Sequence, residues 1–178
     1  IYCLFQALYA SYPMPHTEEE CFEPRLVDYL VKYVREGKEH SDWANPNVAY
    51  EEVLTDFAHF LLDKNDRFFP SFHRFFQSTV DGGIIYSLAQ VLLKFTCPGI
   101  PDIYQGTELW DLSFVDPDNR RDVHYAERYN DLNACFSASP VQVSKLWQDR
   151  YSGIIKLWLT RQLAHMRKDF ASLFAEGA

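Results

Sequence analysis

The chain has 178 residues, 47% of them hydrophobic and 16% aromatic, which is enough apolar material for a packed core and argues against disorder. Its length predicts one domain, or one large domain with a small subdomain. The formal net charge of −8 argues against a nucleic-acid groove, because no cluster of Lys and Arg is present to neutralise phosphates.

The first two predicted elements are amphipathic helices. Apolar residues from Tyr2 to Tyr9 follow helical spacing, and the stretch SYPMP ends that helix. Thr17 and Glu20 form a capping-box pattern at the start of a second helix, predicted from about Glu18 to a C-terminal cap at Gly37. Its inner face is expected to carry six apolar side chains: Phe22, Leu26, Leu30 and Val34, widened by Val27 and Val31.

A third helix is predicted to start where Asn45 precedes Pro46, because proline is preorganised for the first helical position. The stretch DKND ends it. Its apolar face is expected to comprise six residues: Tyr50, Val53, Leu54, Phe57, Phe60 and Leu61.

A short aromatic helix follows, with Phe69, Phe72 and Phe76 on one side. We expect these rings to be core residues rather than a platform for a sugar. Gly82 and Gly83 are predicted to separate this helix from the next one, which runs from Ile85 to Phe95. That helix is apolar on more than one face, so it is expected to be buried.

The segment from Cys97 to Leu132 interrupts the helical pattern with prolines, glycines and acids. Ile100 to Tyr104 fits a brief buried strand, and Gln105-Gly106 fits a turn. An irregular stretch is predicted to about Val123. Three further helices are then expected: Tyr125 to Phe136, Pro140 to Arg150, and Gly153 to about His165.

Four acids lie close together in this segment: Glu108, Asp111, Asp116 and Asp118. A calcium loop would require oxygen ligands at fixed positions, and Arg120 and Arg121 place positive charge where the ion would lie. A pair of catalytic carboxylates, as glycoside hydrolysis requires, is a second reading that spacing does not decide. Residue types favour a third, in which the aspartates cap turns and pair with Arg120 and Arg121.

Other metal or nucleophile patterns are weak. The four cysteines (Cys3, Cys21, Cys97 and Cys135) lack Cys-x-x-Cys spacing, so reduced thiols are expected rather than a zinc site. The tripeptide His40-Ser41-Asp42 contains triad residue types, but adjacent residues cannot all face one scissile carbonyl. Trp43 and Trp110 are predicted to lie in loops, where each either stacks on a sugar or covers the core.

The stretch PGIPDIYQGTE, from Pro98 to Glu108, resembles the eighth-strand segment of the α-amylase superfamily. Its continuation, ELWDLSFVDPDNRRDVHYAER, closely resembles the maltooligosyl trehalose synthases, a family of glucosylmutases within that superfamily. Three further stretches extend the resemblance to nearly the whole chain: EHSDWANPNVAYEE at 39–52, SLAQVLLKFTCPG at 87–99 and GIIKLWLTRQLAHMRKDFASLFAEG at 153–177.

The resemblance implies an enzyme that converts the reducing-end α-1,4 linkage of a maltooligosaccharide into an α,α-1,1 linkage. It implies retaining chemistry by a nucleophilic carboxylate and a second carboxyl group that acts as acid and base. The pocket would have to exclude water, which would otherwise hydrolyse the intermediate. No cofactor or metal is expected. A cytoplasmic location and the absence of nucleic-acid and membrane partners are further expectations.

The resemblance also implies that the catalytic carboxylates lie outside this chain. In the superfamily they follow the fourth, fifth and seventh barrel strands, and the seventh-strand motif contains a His-Asp pair that this chain lacks. A complete (β/α)₈ barrel takes about 250 residues. The expected fold is therefore mainly α, a helical subdomain with the last strand and loop of an incomplete barrel, and the chain is expected to be a C-terminal fragment, inactive alone.

Three regions follow from this assignment. Residues 1–96 would be a helical insertion after the seventh strand, 97–136 the eighth strand with its loop and helix, and 137–178 helices leading to the C-terminal region. Loops after barrel strands build the active-site face. The residues expected to grip sugar hydroxyls, directly or by positioning each other, are Asp118, Asn119, Arg120 and Arg121. Tyr104, Gln105 and Glu108 are expected to support the pocket wall, with Trp43 as a neighbour.

Two alternatives stay open at the level of the sequence. The chain could belong to another hydrolase or transglycosidase of the superfamily, or be a non-catalytic helical interaction module. Without neighbouring strands, Ile100 and Ile103 would remain exposed in the isolated chain, and self-association through apolar surface is expected.

Overall fold

The computed structural model describes residues 1–16, 21–137 and 141–176, and the regular structure of these residues is helical. Short 3-10 turns occur at Asp118–Arg120 and Arg150–Ser152. The α-helices are, in chain order, α1 (Tyr2–Ser11), α2 (Phe22–Gly37), α3 (Val48–Leu62), α4 (Phe68–Thr96), α5 (Tyr125–Ser137), α6 (Val143–Gln148), α7 (Ile154–Asp169) and α8 (Ala171–Glu176).

Two compact units divide the chain. Unit 1 comprises Ile1–Thr79 and Leu112–Arg121, and unit 2 comprises Val80–Asp111 and Asp122–Ala178. Each unit is therefore built from two separate stretches of sequence. The first boundary falls inside α4.

The core of unit 1 is centred on Tyr12, which is buried among aromatic rings. Its ring meets Phe22, Phe72 and Phe76 edge-on, with centroid distances of 5.4, 5.1 and 5.0 Å. Edge-to-face contact is favoured because the positive ring edge meets the negative ring face. Leucines from α1 and α2 complete this core: Leu4, Leu8, Leu26 and Leu30. The predicted role of Phe69, Phe72 and Phe76 as core residues is confirmed.

The core of unit 2 joins the end of α4 to α7. Val91, Phe95 and Leu163 are buried together, with Leu159 and Met166 packed against them. Arg167 of α7 donates to the carbonyl oxygens of Phe95 at 2.8 Å, Cys97 at 3.1 Å and Gly99. These bonds satisfy backbone acceptors at the end of α4 and just beyond it.

Two helix ends differ from the prediction. The left-handed residue after α2 is Lys38, with φ 54°, whereas Gly37 is still helical. Helix α3 begins after Asn47 rather than at Pro46, because the Asn47 side chain accepts a hydrogen bond from the backbone N–H of Tyr50 at 3.2 Å. The capping-box residues Thr17 and Glu20 lie outside the described residues.

The predicted apolar face of α3 is wrong in part. Leu61 is buried as expected, but Tyr50, Val53 and Phe60 are exposed, and the other buried residues are Glu51 and Ala58. The reason is a tertiary ion pair: Glu51 turns inward to meet Arg35 of α2. A charged residue therefore occupies a position that periodicity assigns to solvent.

Helix α4 contradicts two expectations. It continues through Gly82 and Gly83 as one helix of 29 residues. Beyond the glycines it buries a single stripe, Ile84, Val91 and Phe95. The apolar residues on its other faces are exposed, because nothing in the described chain covers them: Ile85, Tyr86, Leu92 and Leu93.

The predicted strand at Ile100–Tyr104 is not formed. A strand requires a neighbour to complete its hydrogen-bond ladder, and no described residue pairs with this segment. Ile100 is 97% exposed and Ile103 40% exposed, as expected for the isolated chain. The predicted turn is confirmed: Gly106 has φ +89°, and Thr107 donates from its backbone to the Tyr104 carbonyl at 3.1 Å.

The C-terminal helices largely match the sequence pattern. Helix α5 agrees with the prediction, α6 is shorter than expected and α7 is longer. Pro140, the predicted start of α6, lies outside the described residues, and α8 was not predicted. None of the described helices is long and apolar enough to cross a membrane.

The uninterrupted course of α4 predicts that Gly82→Ala or Gly83→Ala stabilises the chain by about 0.5–1 kcal/mol, because alanine loses less backbone entropy on folding. A Cβ added at either position meets no atom within 4 Å. Urea unfolding would measure the change. Gly153→Ala is the contrasting variant and should destabilise, since Gly153 has φ +83° and its Cβ would lie 3.0 Å from the Trp110 backbone nitrogen. A loss of stability in both α4 variants would contradict a continuous helix.

Candidate functional site

A cleft of about 410 Å³ lies in unit 1 between α2 and the loop that contains residues 114–118. This volume falls within the range of roughly 300–1,000 Å³ that is usual for small-molecule sites. The cleft brings together two residues that the sequence singled out, Trp43 and Asp118. Its other walls are Arg25, Asp28, Tyr29, Val31, Lys32 and residues Phe114–Pro117.

The loop is held against α2 by a bidentate ion pair between Arg25 and Asp118. The Arg25 Nε and one terminal nitrogen each donate to a different Asp118 carboxylate oxygen, both at 2.8 Å. The same terminal nitrogen donates to the Leu112 carbonyl at 2.8 Å. Because both side chains are less than 20% exposed, solvent screens this pair weakly.

Asp118 also organises its own loop. Its Oδ2 accepts a hydrogen bond from the Phe114 backbone N–H at 2.7 Å. Burial raises the pKa of Asp118, but the hydrogen bonds from Arg25 and Phe114 outweigh this effect, so the pKa lies below its usual value. Asp118 is therefore ionised at neutral pH, and both of its oxygens are already engaged. Its geometry suits the shaping of the loop better than direct contact with a ligand.

The neighbours of Asp118 present groups that a polar ligand could meet. Arg120 pairs with Asp116 and is largely exposed. Arg121 donates to the Asp118 carbonyl at 3.0 Å and to the Ser113 hydroxyl at 2.8 Å. The side-chain oxygen of Asn119 is buried and accepts no hydrogen bond from the described residues.

These contacts favour the reading in which the aspartates of this segment cap turns and pair with arginines. Asp116 pairs with Arg120, and Asp118 pairs with Arg121 and accepts a hydrogen bond from the Phe114 backbone N–H, as residue types favoured. Among the described residues, no group of three or more His, Cys, Asp or Glu side chains is assembled to hold a metal ion.

Aromatic packing forms the inner wall of the cleft. Phe114 is buried and stacks on Tyr29, with centroids 4.8 Å apart and an angle of 16° between the ring planes. Burial, together with the nearby Cys3, raises the pKa of Tyr29 to about 12, so its hydroxyl stays protonated. The Arg25 guanidinium lies 5.5 Å from the Phe114 ring centroid.

Trp43 lies in the connection between α2 and α3. Its side chain is 58% exposed, and the Arg35 guanidinium lies 5.0 Å from its ring centroid. Arg35 is itself bidentate to the buried carboxylate of Glu51, at 2.8 and 2.7 Å. Hydrogen bonds from Arg35 and from the Ser41 hydroxyl lower the pKa of Glu51 to about 2. The carboxylate thus stays charged throughout the physiological range.

The remaining predicted site residues belong to unit 2. Tyr104 and Gln105 are exposed, at and next to the turn at Gly106. Glu108 pairs with Arg128 of α5 at 3.5 Å, and Arg128 also donates to the Gly106 carbonyl at 3.4 Å. Turn and helix are thereby joined within unit 2.

Trp110 is anchored in unit 2. Its indole N–H donates to the Arg150 carbonyl at 2.7 Å, and the Lys156 ammonium lies 5.4 Å from its ring centroid. Burial lowers the pKa of Lys156, and the charge of Lys94 lowers it further. Two roles were predicted for Trp110, stacking on a sugar and covering the core. Its contacts fit the second role better.

Sequence reasoning missed Arg25, the residue that holds the loop. Arg25 and Asp118 are 93 positions apart, and no local pattern connects them. The one available signal was the helical stripe of Arg25, Tyr29 and Lys32, which lies beside the leucine stripe of α2. That stripe indicates a polar face without indicating its partner.

Arg25→Met should destabilise the chain by roughly 1.5–3 kcal/mol, because it leaves a poorly hydrated carboxylate without its charged donors. Since the folded-state pKa of Asp118 is lowered, the pair stabilises above the unfolded pKa, and this contribution is lost as pH falls through the folded pKa. Urea unfolding at pH 7 and at acidic pH would measure both effects. Arg120→Met removes an exposed pair and should cost less than about 0.5 kcal/mol. Equal losses would contradict the special role of Arg25.

The Glu51 carboxylate predicts a second pH effect. With its pKa at about 2 in the folded chain and about 4.3 when unfolded, Glu51 stabilises the fold above that upper value. The stability difference between the native chain and Glu51→Gln should therefore shrink as pH falls through this window. Thermal unfolding at a series of pH values would test this. A difference that stays constant over that pH range would show that Arg35 and Ser41 do not hold the carboxylate ionised.

No protein-family model matches the chain. Curated relatives and solved structures that resemble it carry the name of one family. A protein of Mycobacterium tuberculosis named "Putative maltooligosyl trehalose synthase" is 35% identical over 139 residues, which are 74% of this chain and 17% of that protein. A solved maltooligosyl trehalose synthase superposes with a TM-score of 0.88 and 31% identity, over 98% of this chain and 23% of that structure.

Two further solved structures support the same assignment. The maltooligosyltrehalose synthase of Arthrobacter ramosus superposes with a TM-score of 0.78 and 30% identity over 97% of this chain. A "hypothetical maltooligosyl trehalose synthase" of Sulfolobus tokodaii gives 0.77 and 32%, also over 97%. The chain spans about a fifth of the length of these relatives. In sequence and in fold, this chain corresponds to a segment of the maltooligosyl trehalose synthase family.

Proposed function

We propose that this chain is part of a glucosylmutase that acts on maltooligosaccharides. The enzyme would convert the reducing-end α-1,4 linkage into an α,α-1,1 linkage and so leave a trehalose end. The observation that carries the proposal is the superposition of 98% of the chain on a solved maltooligosyl trehalose synthase at 31% identity. Sequence identity together with superposition over the whole segment favours a shared function more strongly than likeness of fold alone.

We also propose how the segment fits into the longer enzyme. Residues 1–96 would be a helical insertion after the seventh barrel strand, 97–136 would supply the eighth strand and its loop, and 137–178 would lead into the C-terminal region. The exposure of Ile100 and Ile103 supports this layout, because a barrel strand buries such residues only when its neighbours are present. The exposed faces of α4 support it for the same reason.

No catalytic carboxylate is assigned to this chain. A general acid must be protonated at the working pH, and enzymes achieve this by raising the pKa of a carboxyl group. The opposite holds for Glu51 and Asp118, whose arginine partners lower their pKa values. Glu108 is likewise paired with an arginine, Arg128. The nucleophile and the acid/base of a retaining reaction would then be supplied by the rest of the enzyme.

The proposed contribution of this chain is one wall of the sugar pocket. Asn119, Arg120 and Arg121 would meet sugar hydroxyls, while Asp118 holds the loop that carries them. Trp43 would offer an aromatic face to a glucose ring. Within unit 2, Tyr104, Gln105 and Glu108 stay predicted supports of a pocket wall, at the turn after the eighth strand. The common cleft of Trp43 and Asp118 supports the first part of this assignment.

Three further expectations belong to the proposal. The enzyme would work in the cytoplasm, where free thiols such as those of the four cysteines are usual. It would need no cofactor. The isolated chain would self-associate through its exposed apolar residues, among them Leu92 and Ile100.

Product analysis tests the proposed activity. A longer protein that contains this segment, incubated with maltopentaose, should consume reducing ends while releasing little glucose, because the freed glucose is reattached before water attacks. The chain of 178 residues alone should give no turnover. Glucose and maltose as the main products would identify a hydrolase instead. Turnover by the isolated chain would show that its own acids are catalytic.

A further inference from the structure

The connection between α2 and α3 holds an exposed tryptophan on a rigid backbone. The Ser41 hydroxyl is buried, donates to Glu51 at 2.5 Å and accepts from the Asn47 backbone N–H at 3.0 Å. One carboxylate oxygen of Asp42 accepts from the backbone N–H groups of Ala44 and Asn45, both at 2.7 Å. The backbone is thus fixed on both sides of Trp43.

The side chain of Trp43 is held as well. The Arg35 guanidinium lies 5.0 Å from the indole centroid, within the range of a cation–π interaction. Arg35 cannot move freely, because its planar fork donates two hydrogen bonds to Glu51. Glu51 is buried and receives a third hydrogen bond from Ser41. One carboxylate therefore connects the loop backbone, through Ser41, with the cation that contacts the indole, through Arg35.

Burying the ion pair of Arg35 and Glu51 costs desolvation free energy, and a gain in stability does not account for it. A buried carboxylate with a bidentate arginine is seldom more stable than an apolar pair of similar volume. Its advantage here is geometric, since it keeps a large, 58% exposed ring at the edge of a cleft of about 410 Å³. A ring that is already immobilised loses little conformational entropy when a ligand stacks on it.

We propose that Arg35 and Glu51 are positioning residues, which hold Trp43 in place to stack on a glucose unit of an α-1,4-glucan in this cleft. The identity of the ligand rests on the proposed function. The contacts that hold Trp43 do not depend on it. Neither residue touches the sugar. Their effect is on affinity, through the preorganised indole.

Maltopentaose is the probe for this inference, and isothermal titration calorimetry measures its binding to the chain of 178 residues. Trp43→Ala should weaken binding. Glu51→Gln and Arg35→Lys should each raise the dissociation constant by about fivefold or more, since each loses part of the bidentate geometry. Glu23→Gln is the matched control, because Glu23 also joins α2 to α3, through His59, and does not contact the Trp43 loop.

A double-mutant cycle separates positioning from general loss of structure. In the Trp43→Ala background, Glu51→Gln and Arg35→Lys should have no further effect on affinity, because the ring they position is gone. Circular dichroism should show unchanged helicity in Arg35→Lys, which keeps the charge. An additive effect in the double variants would overturn the inference.

The remaining outcomes distinguish this inference from the proposed activity. If Trp43→Ala weakens binding but Arg35→Lys and Glu51→Gln bind like the native chain, the positioning role is wrong and the sugar contact stands. If Trp43→Ala binds like the native chain, or if the native chain gives no saturable response, Trp43 is not a sugar contact and the inference fails. The glucosylmutase proposal is judged separately, by the products formed from maltopentaose.

Discussion

The ion pair between Arg25 and Asp118 is the interaction on which the candidate site depends. It joins α2 to a loop 93 residues later in the chain and determines where that loop lies in unit 1. The cleft lies between this loop and α2, and Asp118 also accepts a hydrogen bond from the backbone N–H of the buried Phe114. Both charges are partly removed from water, so the bidentate geometry must compensate for their desolvation.

Helix α2 organises unit 1 through two adjacent stripes of side chains. Leu26 and Leu30 pack into the aromatic core around Tyr12, whereas Arg25, Tyr29 and Lys32 follow i, i+4, i+7 spacing along the cleft. Arg35 continues the polar side and contacts the carboxylate of α3 that turns inward. One helix thus positions both segments that line the cleft, the Trp43 connection and the 112–121 loop. Glu51 is buried although it is charged, because it pairs with Arg35 of α2.

The exposed apolar surface is the second consistent feature. Ile85, Leu92 and Leu93 on α4, with Ile100 after it, are apolar residues that no described residue covers. Single exposed apolar residues are common on proteins. Several of them on one helix and the segment after it are typical of a surface that packs against something else. The relatives that this chain matches are several times longer than it.

The sequence by itself determined the helical fold class, most helix positions, the aromatic core of unit 1, the turn at Gly106 and the family resemblance, because these depend on local periodicity and contiguous motifs. Tertiary structure alone decided the rest. Helix α4 continues through Gly82 and Gly83 because a glycine within a helix costs little free energy, and Glu51 is buried where it pairs with Arg35. The predicted strand at Ile100–Tyr104 is not formed, because no described residue pairs with this segment. The pairing of Arg25 with Asp118 could not be predicted either, because no sequence pattern connects residues that are 93 positions apart.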